Sequence, residues 1–182
     1  MSMEILDRQA RAAAAQEQGQ FAWLTVLFGL TVFACYLATP FLVVHGVLPL
    51  WLGTAALVGL TYASYTVLHE AVHGTISGSH KSLRWLNEAM GYAAAFVLMI
   101  PLTAHRHEHL AHHRNTNNEE HDPDYVFSAR RKSLLDWAQA LWQGYTTQYR
   151  YYLQHRWAVD RAGQNRRFVT EIAVAVGARV AF

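Results

Sequence analysis

The dominant pattern in the chain is an uninterrupted apolar stretch in its first half. No Asp, Glu, Lys or Arg occurs from Gln18 to His69. A helix that crosses a membrane needs about 20 apolar residues, so this stretch predicts two spans and a tight connection. We place the first span at Phe21–Val44, and the second begins at Leu50 and continues as one helix into His69 and His73.

Shorter patterns follow. Residues Ala89–Ala104 are uncharged but too few for a full crossing, so they predict a half-membrane or re-entrant helix. Apolar and aromatic side chains recur every three or four positions in Ser133–Trp157. This periodicity predicts an amphipathic helix, either at the membrane interface or packed on its own protein. Apolar residues resume at Phe168, as at the start of a third span.

These elements predict an all-α, polytopic membrane helical bundle. We expect residues 1–20 to form a cytoplasmic tail, helical from Ala12–Ala15, and residues 21–182 to form the membrane domain. No Lys or Arg lies between Arg11 and Lys81. The positive-inside rule therefore places both ends of the helical hairpin, with His69 and His73, on the cytoplasmic side.

Composition narrows the class of protein. Of the 182 residues 52% are hydrophobic and only 15% are charged, and the chain has one cysteine. These values exclude an intrinsically disordered chain and a disulfide scaffold. The net charge of +2 has no basic stripe, so we expect no nucleic-acid partner.

Histidine clustering is the strongest chemical signal. His69 and His73 lie four residues apart, which places both imidazoles on one helical face. Further along, a second group falls within one short segment: His105, His109, His112, His113 and His121. Imidazole is the commonest metal-ligating side chain, and this number exceeds what one zinc ion needs, so two metal ions fit better. Acidic neighbours that can orient these imidazoles are Glu70, Glu108, Asp122 and Asp124.

Three motifs resemble those of the membrane fatty acid desaturase superfamily. They are His69-Glu-Ala-Val-His73, His109-Leu-Ala-His112-His113-Arg-Asn-Thr-Asn, and His121-Asp-Pro-Asp124. Members carry HxxxH and HxxHH boxes at the cytoplasmic ends of membrane helices. The order, the spacing and the preceding hairpin agree, and the last two motifs resemble those of bacterial acyl-lipid desaturases, which implies the bacterial inner membrane.

The resemblance implies a non-haem diiron centre. Its ligands are His69, His73, His109, His112 and His113, with His105 and His121 as further candidates. The reaction it implies uses O2 and two electrons from a ferredoxin or cytochrome b5-type donor to remove two hydrogens from an acyl lipid or acyl thioester. Alkane hydroxylases and carotenoid hydroxylases or ketolases carry similar motifs, so these reactions remain alternatives.

Two other classes of protein account for fewer of these histidines. The segment His69–His73 also matches HExxH, in which two histidines bind zinc and Glu70 serves as general base. An intramembrane zinc protease of this kind gives the second histidine group no role. A non-catalytic protein that transports metal or binds haem leaves most histidines unexplained.

The chain departs from the family in one respect. The family carries a third box, of the HxxHH type, after further spans, and the 182 residues contain none. We therefore expect the sequence to be incomplete at its C-terminus and to lack full activity alone.

Overall fold

The computed structural model describes residues 5, 6, 8, 9, 19–128, 130, 132–159 and 162–181. Helices are the only regular elements within these ranges, which confirms the all-α prediction. Six helices have defined bounds: α1 (Trp23–Val44), α2 (Leu50–His73), α3 (Arg84–Leu98), α4 (Leu102–Asn115), α5 (Leu134–His155) and α6 (Ala162–Val180). Short 3₁₀ turns occur at Lys81–Leu83 and Tyr125–Phe127.

Helices α1 and α2 form the predicted hairpin. Both are long and apolar enough to cross a membrane. Pro40 lies inside α1, which continues to Val44. Helix α2 runs without interruption from Leu50 to His73, so it carries the first two histidines at its end. The predicted helix at Ala12–Ala15 lies outside the described residues, and the division into a tail and a membrane domain stays a prediction.

The uncharged segment Ala89–Ala104 does not form one helix. Helix α3 ends at Leu98, α4 begins at Leu102, and the chain bends by 96° between them. Pro101 is the reason, because a proline disfavours helical geometry in the residue before it but tolerates the start of a helix. The bent pair is therefore either a broken span or a re-entrant element.

Side chains from α5 and α6 satisfy the carbonyl groups that the break exposes. Met99 has a left-handed backbone conformation, with φ of 55°, and its carbonyl oxygen accepts hydrogen bonds from the Tyr145 and Tyr149 hydroxyls. The Arg179 guanidinium donates to the carbonyl oxygens of Phe96 at 2.7 Å and Val97 at 3.1 Å. A cation at this helix end also complements the helix dipole.

The start of α4 is held by an acidic residue of α6. Thr103 donates its hydroxyl to the Glu171 carboxylate at 2.5 Å and its backbone N–H at 3.4 Å. A carboxylate at this position satisfies a free N–H and favours the positive end of the helix dipole. Helix α6 thus fixes both sides of the break with opposite charges.

The core lies where the second half of α2 packs against α3. Buried side chains here include Val67, Leu68 and Met90. Gly91 permits the close approach, because a Cβ atom there would lie 2.9 Å from both the Ala71 Cβ and a Leu102 Cδ atom. A second, smaller cluster joins α4, α5 and α6.

The last two helices differ in how closely they follow the sequence pattern. Helix α5 begins after Ser133, which forms a capping box with Asp136, and ends two residues before the predicted Trp157. Helix α6 begins at Ala162, six residues before Phe168, and carries four charged residues in its length. Within the described part of the chain, α1 and α2 are the helices that are long and apolar enough to span a membrane by themselves, and α6 is not among them.

Candidate metal centre

The end of α2 presents two imidazoles on one face. His69 and His73 are one turn apart, and their ring centroids lie 4.6 Å from each other. The helix stops directly after His73 because Gly74 adopts a left-handed conformation, with φ of 73°. The Gly74 and Thr75 N–H groups then bond back to the carbonyls of Ala71 and Glu70.

Helix α4 presents its own histidines toward α2. His105, His109, His112 and His113 follow one another by steps of four, three and one, so all four fall on one helical face. His109, only 4% exposed, lies deep between the helices, and His113 lies nearer the surface. Helix α4 can bury this many polar side chains because α2 and α5 supply polar partners, His73 for His109 and Gln148 for His105.

Four imidazoles from the two helices converge. The four-histidine cluster consists of His69, His73, His109 and His113, whose ligand nitrogens all lie within 4.8 Å of one another. His109 Nε2 lies 3.1 Å from His73 Nε2 and 3.0 Å from His113 Nε2. A single imidazole nitrogen carries one proton or one lone pair, so hydrogen bonding satisfies one of these contacts at most.

The cluster is consistent with metal binding, because one metal ion would accept lone pairs from several of these nitrogens at once. Imidazole nitrogens bind first-row metals at about 2.1 Å, so two ligands at a right angle lie about 3.0 Å apart. The two separations around His109 match this value. Neutral imidazoles suit iron, zinc, copper and nickel alike, so the geometry supports metal binding without choosing the metal.

Glu70 contacts the ring of its neighbour. Its Oε1 lies 3.3 Å from His69 Nδ1, and its other carboxylate oxygen accepts a 2.5 Å hydrogen bond from the Thr75 hydroxyl. Thr75 therefore fixes the carboxylate, and the carboxylate can hold the Nδ1 proton of His69. This arrangement leaves Nε2 of His69 free for a metal.

His112 stands outside the four-histidine cluster but is firmly oriented. Its Nδ1 lies 2.7 Å from Asp122 Oδ1, and Asp122 also accepts backbone hydrogen bonds from Asn117 and Asp124. Burial alone raises the pKa of Asp122, but the imidazole and these N–H groups hold that pKa below its ordinary value. The carboxylate is thus a strong acceptor for His112.

His105 is also outside the cluster. It is 1% exposed, and its Nδ1 lies 2.7 Å from Gln148 Oε1 on α5. Its Nε2 is buried and has no hydrogen-bond partner among the described residues. The ring stacks on His109 with centroids 5.1 Å apart, so this imidazole borders the cluster directly.

The remaining candidates lie further out. His121 is exposed, and its Nε2 is 4.0 Å from Glu120 Oε2. Asp124 lies beside the buried Glu108. Burial and the Glu108 carboxyl raise the pKa of Asp124 to about 7. The roles predicted for these residues stay predictions.

Several residues that hold the site were not identified from the sequence. Gln148 lies 43 positions from His105, and Glu171 lies 68 positions from Thr103. Neither belongs to a motif, and no local spacing links them to the histidines. Thr75, two residues after His73, is close enough in sequence to have been considered as a partner of Glu70.

Comparison with known proteins agrees with the geometry. The chain is similar to a bifunctional fatty acid conjugase/Delta(12)-oleate desaturase of Punica granatum, with 33% identity over 73 residues. This alignment covers 40% of the chain and 17% of that relative. No solved structure matches the chain. The family model described as fatty acid desaturase matches residues 46–182, which include all four histidines of the cluster, and the protein therefore belongs to the fatty acid desaturase family.

Proposed function

We propose that the protein works as an O2-dependent membrane fatty acid desaturase that introduces a double bond into an acyl chain. The observation that carries this proposal is the four-histidine cluster. An HxxxH box at the end of a membrane helix meets an HxxHH box on the next histidine-bearing helix, in a chain of the fatty acid desaturase family. This combination supports a metal-dependent oxidation at the edge of an apolar span.

The metal we assign is iron, as two non-haem ions. His69, His73, His109 and His113 would hold the first. His112 offers Nε2 to the second, because Asp122 occupies its Nδ1. Of the two further candidates, the buried and unpartnered Nε2 of His105 fits a ligand better than the exposed His121. Bound iron supplies the oxidising power that no side-chain acid or base has for an unactivated methylene.

The protein's own residues hold the imidazoles in place. Glu70 and Asp122 accept the Nδ1 protons of His69 and His112, which selects the tautomer with a free Nε2 lone pair. Glu108 Oε2 lies 3.5 Å from His105 Nδ1, and Asp124 lies next to Glu108. A fixed ring loses no orientational freedom when the metal binds, so these contacts raise metal affinity.

The position of the cluster suits its expected partners. It lies at the end of α2, where an apolar membrane helix meets polar loops. An acyl lipid or acyl thioester can reach this boundary from the membrane, and a ferredoxin or cytochrome b5-type donor can reach it from water. The assignment of this side as cytoplasmic rests on the positive-inside rule.

Two alternatives predict different products or metals. A hydroxylase or ketolase of the same superfamily would use the same ligands and leave oxygen in its product. An HExxH protease would bind one zinc and need Glu70 as a free general base. The Thr75 and His69 contacts of Glu70, and the two α4 imidazoles in the cluster, favour the iron proposal.

Metal content tests the proposal most directly. We would express the chain with iron, purify it in detergent and measure iron and zinc per chain by mass spectrometry. We expect two irons, and loss of iron loading in His112→Ala and His113→Ala with helix content unchanged. His80→Ala, on an exposed loop histidine outside the cluster, is the control. Stoichiometric zinc, or full iron in both ligand variants, would contradict the assignment.

Product analysis separates desaturation from hydroxylation. We would extract the lipids of cells that express the full-length protein carrying this sequence, and compare their fatty acids with those of cells expressing its His113→Ala variant. New unsaturated fatty acids that require His113 support the proposal. Hydroxylated or keto products would assign the protein to the other branch of the superfamily.

A further inference from the structure

A crevice between the end of α3 and the middle of α6 lies apart from the four-histidine cluster. Its volume is about 390 Å³, within the range of small-molecule sites. The walls are mostly apolar: Ala95, Phe96 and Met99 on one side, and Thr170, Val174 and Ala175 on the other. None of the proposed metal ligands lines it.

One end of the crevice is basic. Arg166 and Arg167 line it and are exposed. Eight positions separate Arg166 from Val174 on α6, which corresponds to about 12 Å along a helix. The crevice therefore has a cationic end and an apolar end, about 12 Å apart.

Among the described residues, Glu171 is the acidic residue that lines the crevice, one helical turn after Arg167. Glu171 accepts hydrogen bonds from the hydroxyl and N–H of Thr103 at the start of α4. Its negative charge is thus directed to the helix terminus. Arg166 and Arg167 are the two arginines that line the crevice. A third guanidinium, that of Arg179, lies 4.9 Å from the centre of the Phe96 ring and is bound to the carbonyl oxygens of Phe96 and Val97.

We propose that this crevice binds one anionic phospholipid of the surrounding membrane. The headgroup phosphate contacts Arg166 and Arg167, whose planar guanidinium groups match the geometry of phosphate oxygens. One acyl chain lies between Phe96 and Val174 in the apolar part. Basic residues next to an apolar surface favour anionic over zwitterionic lipids, because only the former carry net negative charge.

Native mass spectrometry of the detergent-solubilised chain tests this proposal. We would titrate dioleoyl phosphatidylglycerol and dioleoyl phosphatidylcholine separately. We expect one phosphatidylglycerol per chain, bound at least tenfold more tightly than phosphatidylcholine. Arg166→Gln combined with Arg167→Gln should abolish this preference. Arg150→Gln, an exposed arginine on α5 outside the crevice, should leave it intact.

A second pair of variants tests the apolar part. Val174→Trp fills the crevice and should weaken phosphatidylglycerol binding about tenfold, and Thr170→Trp should do the same from a neighbouring exposed position. Val176→Trp is the matched control, because Val176 is exposed on the same helix but does not line the crevice.

Three results would overturn the proposal. Equal binding of the two lipids would remove the role of the arginines. Sensitivity to the arginine variants alone, with both tryptophan variants unaffected, would indicate surface attraction without a bound chain. Full displacement of the lipid by millimolar inorganic phosphate would indicate a simple anion site. Lipid retention is measured without metal, so its failure leaves the proposed iron centre untouched.

Discussion

Helices α1 and α4 reverse the usual distribution of polar and apolar side chains. Helix α1 is apolar, yet its large side chains point outward, as with Phe41 at 63% exposed. Helix α4 carries histidines and an acid, yet His105, Glu108 and His109 are at most 4% exposed. An apolar exterior is stable when lipid surrounds it, and a polar interior is stable when its groups are paired or bind a metal.

The comparison shows where function resides in this molecule. The outward face of α1 tolerates any side chain that lipid tolerates, because its neighbours are fluid. The buried face of α4 meets fixed partners on α2 and α5, and the half-buried His112 beside it contacts Asp122 in the 116–128 loop. The largest effects are therefore expected from substitutions that remove a polar side chain from the buried face of α4 or place a charge on the outward face of α1.

The largest effect is expected for His109→Ala. His109 Nε2 lies about 3 Å from two other imidazole nitrogens, so its removal takes the central ligand from the cluster. We expect metal affinity to fall by more than about 100-fold, since even changes to the groups that orient ligands cost 10–100-fold. Equilibrium dialysis with Fe²⁺ measures the change, and His80→Ala, on an exposed loop histidine that is not a candidate ligand, serves as control. Equal losses in both variants would show that His109 has no special place.

A charge on α1 should be the next most harmful change. Leu30 is exposed near the middle of this helix. Leu30→Arg places a charge in the bilayer at a cost of about 3 kcal/mol. We expect a clear loss of membrane-integrated protein in an alkaline extraction assay, and no loss for Leu30→Ile. Full integration of the arginine variant would mean that this face of α1 packs on protein or lines water.

Asp122→Asn should weaken the site without destroying it. The substitution removes the negative charge that holds His112 Nδ1 at 2.7 Å. We expect a 10–100-fold loss of affinity for the more weakly bound iron, with the other ion retained. Iron titration followed by absorbance would resolve the two steps. Glu120→Gln, on an exposed carboxylate of the same loop, should leave both steps unchanged.

The smallest effect is expected at the break between α3 and α4. Glu171→Ala removes the carboxylate that accepts the N–H and hydroxyl of Thr103, and should cost about 1 kcal/mol of stability. Glu171→Gln keeps an acceptor and loses only the charge, so it should recover part of this loss. Thermal unfolding in detergent measures both variants. A destabilisation by Gln equal to that by Ala would assign the whole effect to charge.

Much of the fold could be predicted from local patterns. The uncharged stretch identified the α1–α2 hairpin, and the run from Leu50 into His73 placed the first box at a helix end. The shape of the segment Ala89–Ala104 was harder to predict, because apolar composition does not indicate where or by how much a helix bends. Pro101 marked the place, but the 96° angle depends on Tyr145, Tyr149, Glu171 and Arg179, which lie far along the chain.

The candidate site could likewise be predicted only in part. Four-residue spacing correctly put His69 with His73, and His109 with His113, on common faces. The same spacing grouped His105 with them, whereas the fold pairs His105 with Gln148 and leaves it at the border of the cluster. Periodicity gives the face of a helix, but it does not give the depth at which that face meets another helix.

The sequence by itself determined the membrane hairpin, the helical class and the two histidine boxes, because span length and helical periodicity are local properties of consecutive residues. Only the tertiary structure decided which imidazoles converge. That choice follows from the angle between α3 and α4 and from contacts across 36 or more positions, such as the one between His73 and His109. Packing and the satisfaction of exposed backbone groups fix that angle, and both depend on residues outside every motif.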